Sequence, residues 1–220
     1  MIAPERKELV GIAANGVVIE GMLEVPGNAS GIVLFAHGSG SSRLSPRNNF
    51  VASVLRQAGL GTLLLDLLTV GEDQTYATRF DISLLTRRLK AALKWLRQSG
   101  GESAVLPVGL FGASTGAAAA LRVAAESPQL VQAVVSRGGR PDLAGVAALE
   151  QVRAPTLLLV GGLDDQVMAL NQAAYASMQC ERQLRIVPGA THLFEEPGTL
   201  ESVAQQAAAW LLQHLALPRS

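Results

Sequence analysis

Cysteine, aromatic residues and charged residues are all scarce in this chain. Cys180 is the single cysteine among 220 residues, so no internal disulfide can form and nothing points to an oxidising compartment. Aromatic residues make up 4% and charged residues 16% of the chain, whereas 49% is hydrophobic, which is typical of a globular protein with a large core. Lys plus Arg equals Asp plus Glu, at 18 each, and this zero net charge argues against a nucleic-acid or membrane partner.

Long apolar runs are missing as well. No uninterrupted apolar segment approaches the ~18 residues that a membrane-spanning helix needs. The N-terminus, Met1 to Glu8, becomes charged at once and lacks the apolar core of a signal peptide. We therefore expect a cytoplasmic protein. Because no linker, repeat or low-complexity tract divides the chain, we expect a single domain over residues 1–220.

Short apolar runs alternate with helical patterns along the chain. Asn15-Gly16 lies between apolar residues 9–13 and 17–25 and predicts an antiparallel hairpin. Five compact apolar runs then predict parallel strands covered on both faces, and a more polar run at 183–187 predicts a strand near an edge. The five runs are residues 31–36, 62–67, 108–111, 131–135 and 156–160.

The segments between these runs have the apolar spacing of amphipathic helices. The clearest begins near Ile82 and ends near Gly100-Gly101. The other predicted helices are residues 46–58, 115–126, 165–178 and 200–215. A hairpin followed by alternating strands and helices predicts an α/β fold with a mostly parallel central sheet and helices on both faces. In such sheets ligands bind outside the carboxyl ends of the strands.

The loop after the run at 108–111 has the pattern Gly-x-Ser-x-Gly, with Ser114 at its centre. Between a strand and a helix this pattern displays a nucleophilic serine. Side chains two residues before and after the serine would collide with neighbouring backbone, which explains Gly112 and Gly116. No lysine follows Gly116, so a phosphate-binding P-loop is excluded, and the glycine spacing does not fit a dinucleotide-binding motif.

A serine hydroxyl needs a base that a third group orients. The chain has three histidines. His192 follows the last predicted strand and is the predicted base, whereas His214 lies in the final helix and is expected to face solvent. His37 follows the first buried strand, where we expect it to brace the loop, with a catalytic base or a substrate-binding residue as the alternatives.

Two adjacent aspartates follow the run at 156–160, and both could simply cap the next helix. We predict that Asp164 is the acid that orients His192 and that Asp165 lies in the first turn of the helix. The order Ser114, Asp164, His192 is the order expected of an α/β-hydrolase. Backbone N–H groups of Ser39 and Thr115 are predicted to form the oxyanion hole.

Four arginines are expected near the rim of this site. Arg43 and Arg47 lie in the loop after the first buried strand, and Arg137 and Arg140 follow the fourth of the five apolar runs. In one interpretation they are solvated, or brace the loops through carbonyls and Asp142. In the other, one or two of them bind a substrate carboxylate or phosphate through paired hydrogen bonds.

Assembled, these loops resemble the α/β-hydrolase superfamily, and within it the dienelactone hydrolase-like branch, over nearly the whole chain. The resemblance is carried by residues 37–43, 112–116, 161–164 and 189–192. It implies the α/β-hydrolase fold. Dienelactone hydrolase itself has a cysteine nucleophile where this chain has Ser114, so the resemblance implies a general carboxylesterase and not the substrate of that enzyme.

The interval between the runs at 131–135 and 156–160 holds only a loop and a short predicted helix near 142–150, so no lipase-type cap is expected. Short, soluble esters are therefore the expected substrates, cleaved through an acyl-serine intermediate with no metal or organic cofactor. Lactone or amide hydrolysis, or acyl transfer on the same triad, are the alternatives among enzymes. A non-catalytic binding protein that kept the fold is the alternative from another class. A monomer and a homodimer both fit the sequence.

Overall fold

A central mixed sheet organises the protein. The computed structural model describes residues 4–99 and 101–215, and in them eight strands form one sheet in the order β1-β2-β4-β3-β5-β6-β7-β8. The strands are β1 (Pro4–Ala14), β2 (Val17–Pro26), β3 (Ile32–Ala36), β4 (Gly61–Leu65), β5 (Val108–Ala113), β6 (Ala133–Arg137), β7 (Thr156–Gly161) and β8 (Arg182–Val187). β1 and β2 form the predicted antiparallel hairpin, β2 pairs antiparallel with β4, and the remaining pairs are parallel.

Helices cover both faces of the sheet. The helices are α1 (Pro46–Gln57), α2 (Val70–Asp73), α3 (Ile82–Gln98), α4 (Thr115–Glu126), α5 (Val146–Gln151), α6 (Asp165–Ser177) and α7 (Thr199–His214). One buried cluster joins α3 and α4 to the sheet, and a second joins α1 and α7 to the opposite face. This arrangement confirms the α/β fold predicted from the alternation of strands and helices, and it is the arrangement implied by the resemblance to the α/β-hydrolases.

The strands β3 to β7 are buried at every residue, as their uninterrupted apolar runs predict. β8 lies at the edge of the sheet, and all of its residues except Val187 are half-buried or exposed, which confirms the expectation drawn from its polar residues. The strand β6 differs from its prediction, because it begins at Ala133 and runs to Arg137. Pairing of Ala113 with Arg137 extends β6 beyond its apolar run, so Arg137 is a strand residue and not a loop residue.

The segment between β4 and α3 contains structure that the sequence did not predict. It forms α2 and a 3₁₀ turn at Tyr76–Phe80. The short helix α2 has a capping box, in which Thr69 and Glu72 satisfy each other's backbone N–H groups. Between β6 and β7 the chain forms only a 3₁₀ turn at Pro141–Ala144 and α5, so no cap is inserted there.

Three segments of the chain for which an expectation was drawn from the sequence lie outside the described residues. They are Met1 to Ala3 of the N-terminal segment, Gly100 after the long helix, and residues 216–220 of the single domain. None of the helices in the described ranges is long and apolar enough to cross a bilayer.

Candidate active site

Ser114 stands at a strained turn between β5 and α4. Its φ of 50° and ψ of −119° place it in a region that residues with a side chain rarely adopt. Its backbone is held on both sides, because its N–H donates to the Arg137 carbonyl at 3.2 Å and its own carbonyl accepts from Arg140 N–H at 3.1 Å. These contacts set the serine at the carboxyl end of the sheet, at the N-terminus of α4.

The two glycines around Ser114 are required by close backbone contacts. A Cβ on Gly112 would lie 2.7 Å from the backbone nitrogen of Ala117. A Cβ on Gly116 would overlap the carbonyl oxygen of Ala36 and lie 2.5 Å from that of His37. These distances agree with the steric reason given above for glycine at both positions.

His192 and Asp164 meet across two neighbouring strand ends. His192 Nδ1 lies 2.6 Å from Asp164 Oδ2. Because a carboxylate only accepts, Nδ1 carries the proton and Nε2 is left with a free lone pair. Asp165 lies in the first turn of α6, as predicted. The structure therefore brings Asp164 to the imidazole.

The loop that carries His192 is braced from two directions. A Cβ on Gly161 would lie 2.7 Å from the carbonyl oxygen of Thr191, so the end of β7 passes directly beneath this loop. Glu196 accepts hydrogen bonds from Thr191 N–H at 3.0 Å and from its hydroxyl at 2.6 Å. These hydrogen bonds also lower the pKa of the Glu196 carboxyl, so it remains a charged acceptor.

Ser114 and His192 line the same small pocket. Its volume is about 210 Å³, and its lining includes Ser39, Arg47, Ser114, Arg137 and His192. Among the hydrogen bonds of the described residues none joins Ser114 Oγ to the imidazole, and such bonds are often long before substrate binds. A larger cavity of about 940 Å³ lies on the outer surface of α3 and α4 and contains none of these groups.

The two residues predicted to form the oxyanion hole, Ser39 and Thr115, both lie close to Ser114. Thr115 is the first residue of α4, where an N–H group has no partner within the helix. Ser39 lines the pocket beside Ser114. A Cβ on Gly38 would lie 3.0 Å from Ser114 Cβ, so the loop after β3 passes very close to the serine. Both predicted donors therefore belong to segments in contact with Ser114.

His37 is a bracing residue and does not line the pocket. Its Nε2 accepts a hydrogen bond from Leu67 N–H at 2.9 Å, and its Nδ1 donates to the Gly38 carbonyl at 2.9 Å. Burial lowers the pKa of His37, although the Gly38 hydrogen bond and nearby Asp66 and Asp73 act in the opposite direction. The alternative of substrate binding is not supported, because both ring nitrogens are already occupied.

Two of the four candidate arginines lie outside the pocket, and each of them is paired with a carboxylate. The backbone N–H of Arg43 donates to Asp66 Oδ1 at 2.6 Å, and its guanidinium donates to Asp66 Oδ2. The same guanidinium lies 2.7 Å from the Glu20 carboxylate. Arg140 makes a paired contact with Asp142, at 2.9 Å and 2.7 Å. The bracing interpretation is therefore the right one for Arg43 and Arg140.

The other two arginines line the pocket, and they differ in their partners. Arg47 donates to Glu195 at 2.8 Å. Arg137 is 8% exposed, and its Nε and Nη1 are buried without a hydrogen-bond partner among the described residues. Burial, and then the neighbouring charge of Arg47, lower the pKa of Arg137 to about 10. Arg137 is therefore a buried cation without a carboxylate.

His214 differs from its expectation. Its side chain is 11% exposed and does not face solvent freely. The ring packs against that of Trp210, one turn earlier in α7, with 4.3 Å between centroids and the ring planes tilted by 58°. His214 takes no part in the pocket.

Comparisons with known proteins agree with this architecture. The model of the dienelactone hydrolase family matches residues 69–216. A dienelactone hydrolase from Anabaena variabilis ATCC 29413 is 54% identical, with a TM-score of 0.92 and coverage of 96% of this chain and 98% of that chain. The chain belongs to the dienelactone hydrolase family. The name of this family and the geometry of the site both support hydrolase activity.

Two further relatives of this dienelactone hydrolase family member differ from it more, one in sequence and one in length. An esterase from an Arctic intertidal metagenomic library is 18% identical, with a TM-score of 0.78 and coverage of 98% of this chain and 100% of that chain, which shows a common fold. A Mycobacterium tuberculosis protein, provisionally named a phosphoribosyl transferase, is 56% identical over 215 residues. That match covers 98% of this chain and 48% of the relative, so the chain spans about half the length of the curated relatives it matches.

The sequence reasoning missed the groups that hold the site loops in place. Glu196 and Asp66 are the clearest examples, since each fixes a loop next to a pocket residue. A glutamate four residues after His192 was a local signal that could have been used. No local signal links Asp66 to Arg43, which is 23 residues away.

The close contact at Gly116 predicts a large stability effect. We expect Gly116→Ala to lower the free energy of unfolding by about 2–4 kcal/mol, because the carbonyls of β3 cannot move away from the new methyl group. Gly71→Ala is the matched control, since a Cβ there meets nothing within 4 Å. Urea unfolding of both variants measures the difference, and equal stabilities would contradict the steric argument.

The lowered pKa of His37 predicts a pH-dependent stability. Below about pH 6.5 the unfolded chain binds a proton at this histidine and the folded chain does not, so the free energy of unfolding should fall as pH decreases. In His37→Gln, whose amide oxygen can still accept from Leu67, this contribution is absent. Urea unfolding at pH 7.5 and 5.5 should therefore show a smaller loss for the variant than for the wild type. Identical losses would refute the assignment.

Proposed function

We propose that the protein is a serine hydrolase that cleaves short-chain carboxylic esters through an acyl-serine intermediate. The observation that carries this proposal is the 2.6 Å contact of Asp164 with His192, which lines the same pocket as Ser114. A carboxylate on Nδ1 leaves Nε2 free to take the serine proton, which is the arrangement that a serine nucleophile requires. The strained turn at Ser114 adds support, because such strain persists mainly at functional sites.

The reaction follows from these positions. Ser114 Oγ attacks the carbonyl carbon while His192 Nε2 takes its proton, and Asp164 stabilises the imidazolium. The oxygen of the tetrahedral intermediate accepts hydrogen bonds from the Ser39 and Thr115 N–H groups. His192 then gives the proton to the leaving alcohol, and water releases the acyl group by the same steps in reverse order.

The size of the pocket favours small substrates. Its volume of about 210 Å³ lies below the ~300–1,000 Å³ of sites that take drug-sized ligands. No cap is inserted between β6 and β7, so little apolar surface is available to cover a long acyl chain. Cyclic esters fit the same chemistry, since opening a lactone is also acyl transfer to Ser114.

The name of the Mycobacterium tuberculosis relative does not favour phosphoribosyl transfer by this chain. The matched region is 48% of that protein, so the name can describe the other part of it. In the matched chain, the residues gathered in the pocket are those of acyl transfer. The proposed ester hydrolysis is assigned to this chain and not to the unmatched part of the longer relative.

Replacement of the serine tests the nucleophile. We expect Ser114→Ala to reduce hydrolysis of p-nitrophenyl acetate and butyrate by at least about 10³-fold, because the proposed acyl intermediate forms on Ser114 Oγ. In the wild type, activity should fall as the acyl chain of the p-nitrophenyl ester is lengthened. A fluorophosphonate probe should label the wild type at Ser114, as read by mass spectrometry. Undiminished hydrolysis by Ser114→Ala would refute the mechanism.

The two adjacent aspartates provide a matched pair for testing the acid. Asp164→Asn should lower kcat by about 10³–10⁴-fold, because an amide at this position favours the wrong tautomer of His192. Asp165→Asn removes the same charge one residue away, in the first turn of α6, and should change kcat less than about threefold. Steady-state kinetics with p-nitrophenyl acetate measure both, and equal losses would contradict the assignment of Asp164.

A further inference from the structure

A cavity of about 940 Å³ lies over α3, separate from the pocket at Ser114. It extends from α4 across α3 to the end of the β1–β2 hairpin, where Ala13 and Asn15 line it. None of its lining residues belongs to the pocket at Ser114, so the proposed ester hydrolysis makes no use of it. Its volume lies within the ~300–1,000 Å³ of sites that bind small molecules.

Positive charge dominates the lining of this cavity. Five basic side chains and one carboxylate, that of Glu126, line it. The five are Arg87, Lys90, Lys94 and Arg97 of α3 and Arg122 of α4. In the whole chain basic and acidic residues are equal in number, at 18 each. The excess of positive charge is therefore a property of this cavity and not of the chain.

Two of the five cations are held in place by neutral groups. The guanidinium of Arg97 donates to the carbonyls of Ala104 at 2.9 Å and Leu106 at 2.7 Å. Arg122 donates through Nε to the carbonyl of Ala144 at 2.9 Å. A carbonyl fixes the position of a guanidinium but leaves its net charge uncompensated, whereas a carboxylate would neutralise it. Both arginines therefore present a fixed positive charge to the cavity.

The other three cations repel one another along the exposed face of α3. Lys90 contacts the Glu126 carboxylate at 2.7 Å. Arg87 and Lys94 are exposed, and neither side chain has a hydrogen bond or ion pair among the described residues. Like charges three or four residues apart destabilise a helix. Arg87 with Lys90, and Lys90 with Lys94, have this spacing, so a bound anion would relieve repulsion within the helix.

The spacing of the cations indicates the kind of anion. From Arg87 to Arg97 the helix α3 advances by about 15 Å, given the rise per residue of an α-helix. A single phosphate or carboxylate cannot contact cations spread over this length, whereas a chain of phosphate groups can. Trp95 and Leu130 line the same cavity and are partly buried, so it also offers apolar surface to an organic part of a ligand.

We propose that this cavity is a binding site for a ligand that carries several phosphate groups, as nucleoside triphosphates and inorganic polyphosphates do. Lysine and arginine donate charge-assisted hydrogen bonds to phosphate oxygens, and five such side chains face one cavity here. The fixed guanidinium groups of Arg97 and Arg122 would contact the phosphates without first having to be ordered. This inference goes beyond the proposed ester hydrolysis and does not depend on it.

Isothermal titration calorimetry with sodium tripolyphosphate and with ATP, in buffer without divalent cations, tests the site. The double variant Arg87→Gln/Lys94→Gln should raise Kd for both ligands by at least about 10-fold, because two charge-assisted contacts are lost. Its Tm should equal or exceed that of the wild type, because repulsion along α3 is relieved. Unchanged affinity in this variant would overturn the proposal, as would the absence of saturable binding to the wild type.

A matched control removes the same charge elsewhere. Arg153→Gln/Arg185→Gln replaces two exposed arginines that do not line the cavity, so it should keep the wild-type Kd. An equal loss of affinity in both double variants would show a general attraction by the net charge of the protein. That result would contradict the assignment of the ligand to this cavity.

Two measurements locate the ligand. Trp95 lines the cavity, whereas Trp210, the other tryptophan of the chain, is 2% exposed. ATP should therefore change the tryptophan emission of the wild type, and unchanged emission would place the ligand elsewhere. Saturating tripolyphosphate should leave the KM for p-nitrophenyl acetate unchanged, and a raised KM would place the ligand in the pocket at Ser114. The emission measurement needs no hydrolysis, so it tests the site even if the proposed function is wrong.

The two ligands also separate the possible sources of the phosphate groups. Tighter binding of ATP than of tripolyphosphate identifies a phosphorylated organic ligand, and the reverse order identifies an inorganic polyphosphate. Hexaglutamate carries several negative charges on a peptide and serves as the third ligand. If it binds more tightly than both, the occupant is an acidic protein segment and the proposal is wrong.

Discussion

The close packing of backbone around Gly116 is the constraint on which the site depends. The first turn of α4 touches the carbonyls at the end of β3, with no room for a Cβ between them. This contact holds the end of β5, the start of α4 and the loop after β3 together. Ser114 can therefore be displayed in a strained conformation, since the surrounding structure over-determines it. A similar contact at Gly161 brings the end of β7 against the loop of His192.

Charged groups around the pocket are arranged in two ways. Outside it, arginines and carboxylates pair and fix the loops, as Arg43 does with Asp66 and Arg140 with Asp142. Inside it, Asp164 orients His192, and Arg137 is left with no carboxylate of its own. Pairing outside the pocket fixes the loops, whereas inside it the charge of Arg137 has no carboxylate partner among the described residues.

The lengths of the connecting segments decide how open the site is. The connection between β6 and β7 is short and carries only α5 and a 3₁₀ turn. The more elaborate connection, between β4 and α3, packs beside the loop after β3, where Arg79 approaches Gly40. It is itself held by Arg88, a buried residue of α3 that contacts Glu72 of α2. With these two connections, the pocket at Ser114 has a volume of about 210 Å³.

The sequence alone indicated most of the fold and the identity of the central residues. Apolar runs of four to six residues predicted the buried strands, because a strand covered on both faces needs apolar side chains at every position. Ser114 and His192 could be named because each follows a predicted strand in the expected order. The extension of β6 to Arg137 was missed, since strand ends are defined by pairing with a neighbour and not by hydropathy.

The partners of the charged residues were decided only by the tertiary structure. From sequence, four arginines were equivalent candidates on one rim, namely Arg43, Arg47, Arg137 and Arg140. Folding brings Asp66 to Arg43 from 23 residues away, and leaves Arg137 beside the nucleophile without a carboxylate. Glycines and strand patterns act locally, so the sequence reveals them directly. The pairing of carboxylates with guanidinium groups depends on how distant loops meet at the end of the sheet. No local sequence pattern encodes this meeting.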